Sequence, residues 1–188
     1  DLAILAGDAL FLDPFGMIAA SALSDAVKVS LILELSDASG SRGMVAGQVL
    51  DMEGEHKQLT LAELQTIHAN KTGRLLAYPF IAAGLILELQ ADIAQLLEKI
   101  GKKLGLAFQV RDDILDLVAD FEALGKTPQK DLVAEKSTYP ALLGLEESKA
   151  LLTSELDACE DLLDQITAAC DFDPRAIKKL IEGLRIDG

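Results

Sequence analysis

The chain has 188 residues, half of them hydrophobic and only 4% aromatic, and its 17 basic against 31 acidic residues give a net charge of −14. Leu (35) and Ala (26) supply 61 residues, a helix-forming excess that argues against a β-sandwich or barrel and for an all-α domain. So acidic a surface repels phosphate backbones, which excludes a general nucleic-acid binder and confines any phosphate site to a small local cluster of Lys and Arg.

Cys159 and Cys170 lie eleven apart with no Cys-x-x-Cys pair. They form neither a disulfide framework nor a zinc site, and they fit a reducing cytoplasm. The longest uncharged stretch, Leu75–Leu87, has 13 residues and contains Pro79 and Gly84, too short for a bilayer span, so no membrane association is expected. No signal peptide is evident. Asp1 leads directly into an apolar run, the beginning expected of a piece of a longer protein.

The predicted elements are helices throughout. Ile4–Leu23 is apolar at helical spacing, with a bend expected at Asp13-Pro14. Val27–Ser39 follows and is broken by Gly40-Ser41-Arg42-Gly43. Met44–Glu53 is a short helix closed by Gly54, and Glu55–Gln58 a polar loop. Thr60 and Glu63 have capping-box spacing and start a helix that should run to about Thr72 and stop at Gly73. Leu75–Leu89 is apolar on nearly every face and is expected to be a buried central helix. From Asp92 a long helix should reach about Leu124, with Gly101 and Gly105 marking close packing. Gly125–Lys136 is a basic loop carrying Lys126, Lys130 and Lys136, and Tyr139–Leu145, Ser148–Ala169 and Pro174–Glu182 complete the bundle. Neither an internal repeat nor a βαβ alternation appears.

The strongest chemical signal is Phe108-Gln109-Val110-Arg111-Asp112-Asp113-Ile114-Leu115-Asp116. On a helix the three aspartates share one arc, and Phe108, Val110, Ile114, Leu115, Leu117 and Val118 are expected to face a core. Like charges on a half-buried edge repel one another unless a cation sits on them. Oxygen-only donors suit Mg²⁺, which takes one or two carboxylates and completes its shell with water and phosphate oxygens. A solvated acidic stripe is the plainer alternative. Lys126, Lys130 and Lys136 could hold a diphosphate, or could simply offset a helix dipole. His68-Ala69-Asn70-Lys71-Thr72-Gly73 offers an ammonium and a hydroxyl at a helix end without being a P-loop, and His68 reads as a packing histidine unconnected with His56. Gln48 and Asp51 share a helical face, as a structural hydrogen-bonded pair or as support for a metal site.

Taken in order, Gly7-Asp8-Ala9-Leu10, Met44-x-x-Gly47-Gln48-x-x-Asp51, Lys71-Thr72-Gly73, Phe108-Gln109-x-x-Asp112-Asp113-x-x-Asp116, Gly125-Lys126 and Lys136-Ser137-Thr138-Tyr139-Pro140 form a set. The set resembles the trans-isoprenyl diphosphate synthases, most closely their bacterial short-chain branch, the farnesyl diphosphate synthases or geranyltranstransferases. The resemblance runs from Asp1 to about Gln165. It implies an all-α bundle around an apolar cavity, with residues 1–188 as the C-terminal portion of one such domain. The activity it implies is a Mg²⁺-dependent (or Mn²⁺-dependent) condensation of an allylic diphosphate with isopentenyl diphosphate, in a cytoplasmic homodimer. By that resemblance Asp112, Asp113, Asp116 and Asp51 belong to the metal cluster. Lys71, Thr72, Gln109, Lys126 and Lys136 would contact the allylic diphosphate or stabilise the cation, and Gln48 would lie near the metal. One departure is large: the family's first aspartate-rich motif and its arginine pair are absent, so they are expected upstream of Asp1 and the chain alone is expected to be inactive. Another is a short Ser24–Lys28 loop. The alternative is a non-catalytic helical subunit that modulates a partner prenyltransferase.

Overall fold

The computed structural model describes residues 2–124 and 137–186. Among them there is no strand, and the elements run α1 (Leu2–Ala20), α2 (Asp25–Ser39), α3 (Met44–Gly54), α4 (Leu61–His68), a π-helical turn (Ala69–Gly73), α5 (Arg74–Ile86), α6 (Ala91–Leu124), α7 (Tyr139–Leu143), α8 (Leu145–Ala169) and α9 (Arg175–Leu184).

The core is a seam between α6 and α8. Along α6 the buried side chains are Ile93, Leu97, Ile100, Leu104, Ala107, Val110 and Ile114, and along α8 they are Leu152, Leu156, Cys159, Leu163 and Ile166. Successive positions are three or four residues apart, which keeps one face of each helix against the other. Ile181 and Leu184 of α9 join the same core, and a Lys103–Glu155 ion pair of 2.9 Å fastens α6 to α8 beside the seam. Phe108 and Leu115, expected in the core, are 41% and 38% exposed. Each lies one residue past a buried position, about 100° round the helix, which carries it off the seam.

α5 crosses α6 on its other side, and small residues set the distance. A Cβ on Gly101 would stand 2.9 Å from the Ala77 Cα, and one on Gly105 would stand 2.8 Å from the Gly73 Cα. Gly73 therefore does not stop the helix. Its φ is −62°, and the chain continues from α4 to α5 through a π turn in which the Arg74 N–H donates to Ala69 O. Glycine serves close approach here rather than a left-handed cap. Nor is α5 buried on every face: Ala77, Ala82 and Gly84 are covered, whereas Leu76 and Ile86 are exposed, because among the described residues it is flanked mainly by α6 and α2.

The capping box at α4 is present as expected: Thr60 N–H donates to Glu63 Oε2 at 2.8 Å, and Glu63 N–H to Thr60 Oγ1 at 3.3 Å. Those bonds to Thr60 hold the Glu63 carboxyl below its ordinary range. α1 runs unbroken through Pro14 and buries none of its side chains. It is also the helix among the described residues that is long and apolar enough to cross a membrane, a match that counting only uncharged runs overlooked because Asp8 and Asp13 interrupt it.

Candidate active site

The site forms where α6, α3 with the connection after it, the π turn and the segment before α7 meet at one end of the α6–α8 seam. α6 brings Gln109, Asp112, Asp113 and Asp116, α3 brings Asp51, the α3–α4 connection brings Glu55, His56 and Lys57, and the π turn brings Lys71, with Ser137 and Thr138 of the segment before α7 on the remaining side. Together they line a pocket of about 230 Å³. Gly47 makes this junction possible, because any Cβ there would collide with the Lys71 backbone. The extra residue of the π turn carries Lys71 round toward α3, where its Nζ donates to Asp51 Oδ2 at 2.5 Å.

A second chain of bonds runs from the π turn to α7. The Thr72 hydroxyl donates to Gln109 Oε1 at 3.2 Å, and the Gln109 Nε2 donates to Asp113 Oδ1 at 3.4 Å. The Tyr139 N–H donates to Asp113 Oδ2 at 3.0 Å. Tyr139 is wholly buried beneath, with its ring 5.5 Å from that of His68. Burial, then the charges of Asp113 and Glu155, push the Tyr139 phenol well above its ordinary value, so it carries no charge at neutral pH. The Ser137 hydroxyl donates to Lys57 O at 3.3 Å and accepts from Leu59 N–H at 3.2 Å, which ties the α3–α4 connection to the segment before α7.

The expected groups are thus mostly assembled. Asp51, Lys71, Gln109, Asp112, Asp113 and Asp116 share the pocket wall, and Thr72 is joined to it through Gln109. Gln48 is exposed and lies outside the wall, since Gly47 rather than Gln48 faces the π turn. Lys126, Lys130 and Lys136 fall outside the described residues. His56 and His68, unrelated by spacing, line the same pocket, and His56 does so from a left-handed φ of 62°. The Tyr139 amide and the Ser137 hydroxyl were not expected at the site by chemistry of their own. Their only sequence signal was membership of the Lys136–Pro140 segment.

Five carboxylates (Asp51, Glu55, Asp112, Asp113, Asp116) face two lysines (Lys57, Lys71) around the pocket. Carboxylate oxygens are the hard donors that Mg²⁺ takes. Among the described residues no group of three His, Cys, Asp or Glu side chains stands close enough to hold a metal ion by itself.

An all-helical bundle with aspartates, lysine, threonine and glutamine gathered at one end defines a class, and residues 1–170 match it as polyprenyl synthetase. The chain belongs to the polyprenyl synthetase family. It is 48% identical over 180 residues to a farnesyl diphosphate synthase of Micrococcus luteus, covering 96% of this chain and 62% of that one. With a farnesyl diphosphate synthase of Bacillus subtilis it shares 39% identity over 174 residues, covering 90% and 58%. A geranyltransferase of Helicobacter pylori solved with magnesium and isoprenyl diphosphate superposes with a TM-score of 0.80 at 32% identity, covering 97% of this chain and 60% of that one. The chain spans about three fifths of the length of these relatives.

Proposed function

We propose that this chain is the C-terminal portion of a short-chain prenyltransferase that joins an allylic diphosphate (dimethylallyl or geranyl) to isopentenyl diphosphate. The observation that carries the reading is the pocket itself: an acidic wall on α6 facing Lys71 and the Thr72–Gln109 pair. In the reaction the allylic C–O bond breaks and its electron pair leaves with diphosphate. The isopentenyl double bond then attacks the allylic cation, and a proton is lost as the new double bond forms.

Bound Mg²⁺ would neutralise the diphosphate against the α6 carboxylates, of which Asp112 and Asp116 are the exposed members. Lys71, held in place by Asp51, offers its ammonium to the leaving oxygens. With its proton given to Gln109, the Thr72 hydroxyl keeps oxygen lone pairs that would stabilise developing positive charge. Lys126 and Lys136 are assigned to the same diphosphate by resemblance. A homodimer in the cytoplasm completes the reading. Asp112 and Asp116, exposed on the pocket wall, would have no task in a purely modulatory subunit, and no observation favours that alternative.

The test is prenyl transfer by the full-length protein, with products resolved by chromatography. Activity should require Mg²⁺ or Mn²⁺, and Asp112→Ala should lower turnover by about two orders of magnitude or more at unchanged helicity. The 188-residue chain alone should be inactive. Full turnover in excess chelator, or by the isolated chain, overturns the reading.

A further inference from the structure

The three aspartates of α6 are not equivalent. Asp112 and Asp116 are exposed on the pocket wall, whereas Asp113 is half-buried and each of its oxygens accepts a hydrogen bond from the protein. One bond reaches one turn back along α6 to Gln109 and the other crosses to the first residue of α7. An ionised carboxylate offers acceptors only, so the group that Gln109 turns toward it must be the amide nitrogen. The amide oxygen then points the other way and accepts the Thr72 proton. The direction of donation along the whole chain, from Thr72 to Gln109 to Asp113, is set at its carboxylate end.

We propose that Asp113 is a positioning residue: it fixes the orientation of the Gln109 amide and the Thr72 hydroxyl, and pins the start of α7 over Tyr139, while cation binding falls to Asp112 and Asp116. The proposal rests on the prenyltransferase reading for its kinetic part only. Asp113→Asn separates the roles. An asparagine oxygen still accepts from the Tyr139 N–H, but its other atom becomes a donor. Gln109 must then reverse, which turns its amide N–H groups toward Thr72 and removes the oxygen that accepted the Thr72 proton.

Three readouts on the full-length protein test this. Asp113→Asn should lower kcat about tenfold or more while the half-saturating Mg²⁺ concentration and the KM for the allylic substrate stay within about twofold of wild type. Asp112→Asn should raise the Mg²⁺ requirement. Amide exchange of Tyr139, which needs no turnover, should remain slow in Asp113→Asn and become fast in Asp113→Ala. A Mg²⁺ requirement raised equally in Asp113→Asn and Asp112→Asn overturns the proposal, as does wild-type kcat in Asp113→Asn or slow Tyr139 exchange in Asp113→Ala. If the wild-type protein transfers no prenyl group, the functional reading fails by itself, and the exchange experiment still decides whether Asp113 holds α7.

Discussion

α8 buries Leu152, Leu156, Cys159, Leu163 and Ile166 along one stripe and turns Glu146, Asp157 and Glu160 outward, whereas α1, much the more apolar helix, buries nothing. Leu2, Leu5, Leu10 and Met17 are each more than half exposed. Burial is therefore a property of what a helix meets rather than of how apolar it is. α8 meets α6 at matching three-four spacing, while among the described residues α1 touches little besides α2. An apolar face this large, left open, marks a place for a further contact. The relatives extend well beyond the part this chain matches, and on the proposed reading that further length covers α1.

The sharpest way to break this contrast is a matched pair of truncations. Leu156→Ala should destabilise the chain by about 3 kcal/mol, because it opens a cavity in a seam where the side chain is fully covered. Leu5→Ala should change it by no more than about 0.5 kcal/mol. Denaturant unfolding of both variants checks this, and equal losses would show that α1 is packed after all. In the full-length protein the cost of Leu5→Ala should rise toward that of Leu156→Ala.

A smaller effect probes contact without any large side chain. Gly47→Ala forces a methyl into the Lys71 backbone and should cost about 1–3 kcal/mol. It should also weaken diphosphate binding by displacing the Lys71–Asp51 pair, which calorimetry with inorganic diphosphate and Mg²⁺ would register.

The smallest effect is local. Thr60→Ala removes the bonds that hold the Glu63 carboxyl low, and should lower the melting midpoint by a few degrees at neutral pH. The sign with pH comes from that depression. Glu63 contributes fully above the ordinary carboxyl value of 4.5, and the contribution fades as pH falls through its lower folded value. The difference between wild type and Thr60→Ala should therefore shrink in acid, and a gap that widened there would contradict the capping box.

Much of this was legible in the sequence because it depends on local spacing. Thr60 and Glu63 cap a helix by their separation alone, and Asp112, Asp113 and Asp116 share an arc by theirs. Gly101 and Gly105 announced a tight crossing through their lack of a Cβ. What stayed hidden depends on distant segments. The Tyr139 amide reaches Asp113 across 26 residues, and nothing in either segment alone encodes that meeting. His56 and His68 come together because α3 and α4 fold back on each other, which no ligand spacing could reveal. Gly73 reads as a stop in sequence because its partner, Gly105, lies on another helix. Phe108 and Leu115 read as core because an apolar residue next to a core position looks the same as one in it.

The π turn at Ala69–Gly73 makes the site sensitive to residue count as well as residue type. A π turn is an α-helix holding one residue too many. Deleting any one residue from this stretch would return α4 and α5 to a single regular helix, and α5 would rotate by about 100° relative to α4. Every remaining side chain could keep its identity, yet Lys71 could no longer meet Asp51 while Gly73 still sat against Gly105. Within this segment the frame tolerates exchange of letters far better than a change in their number, so insertions and deletions in descendants of this sequence should avoid it.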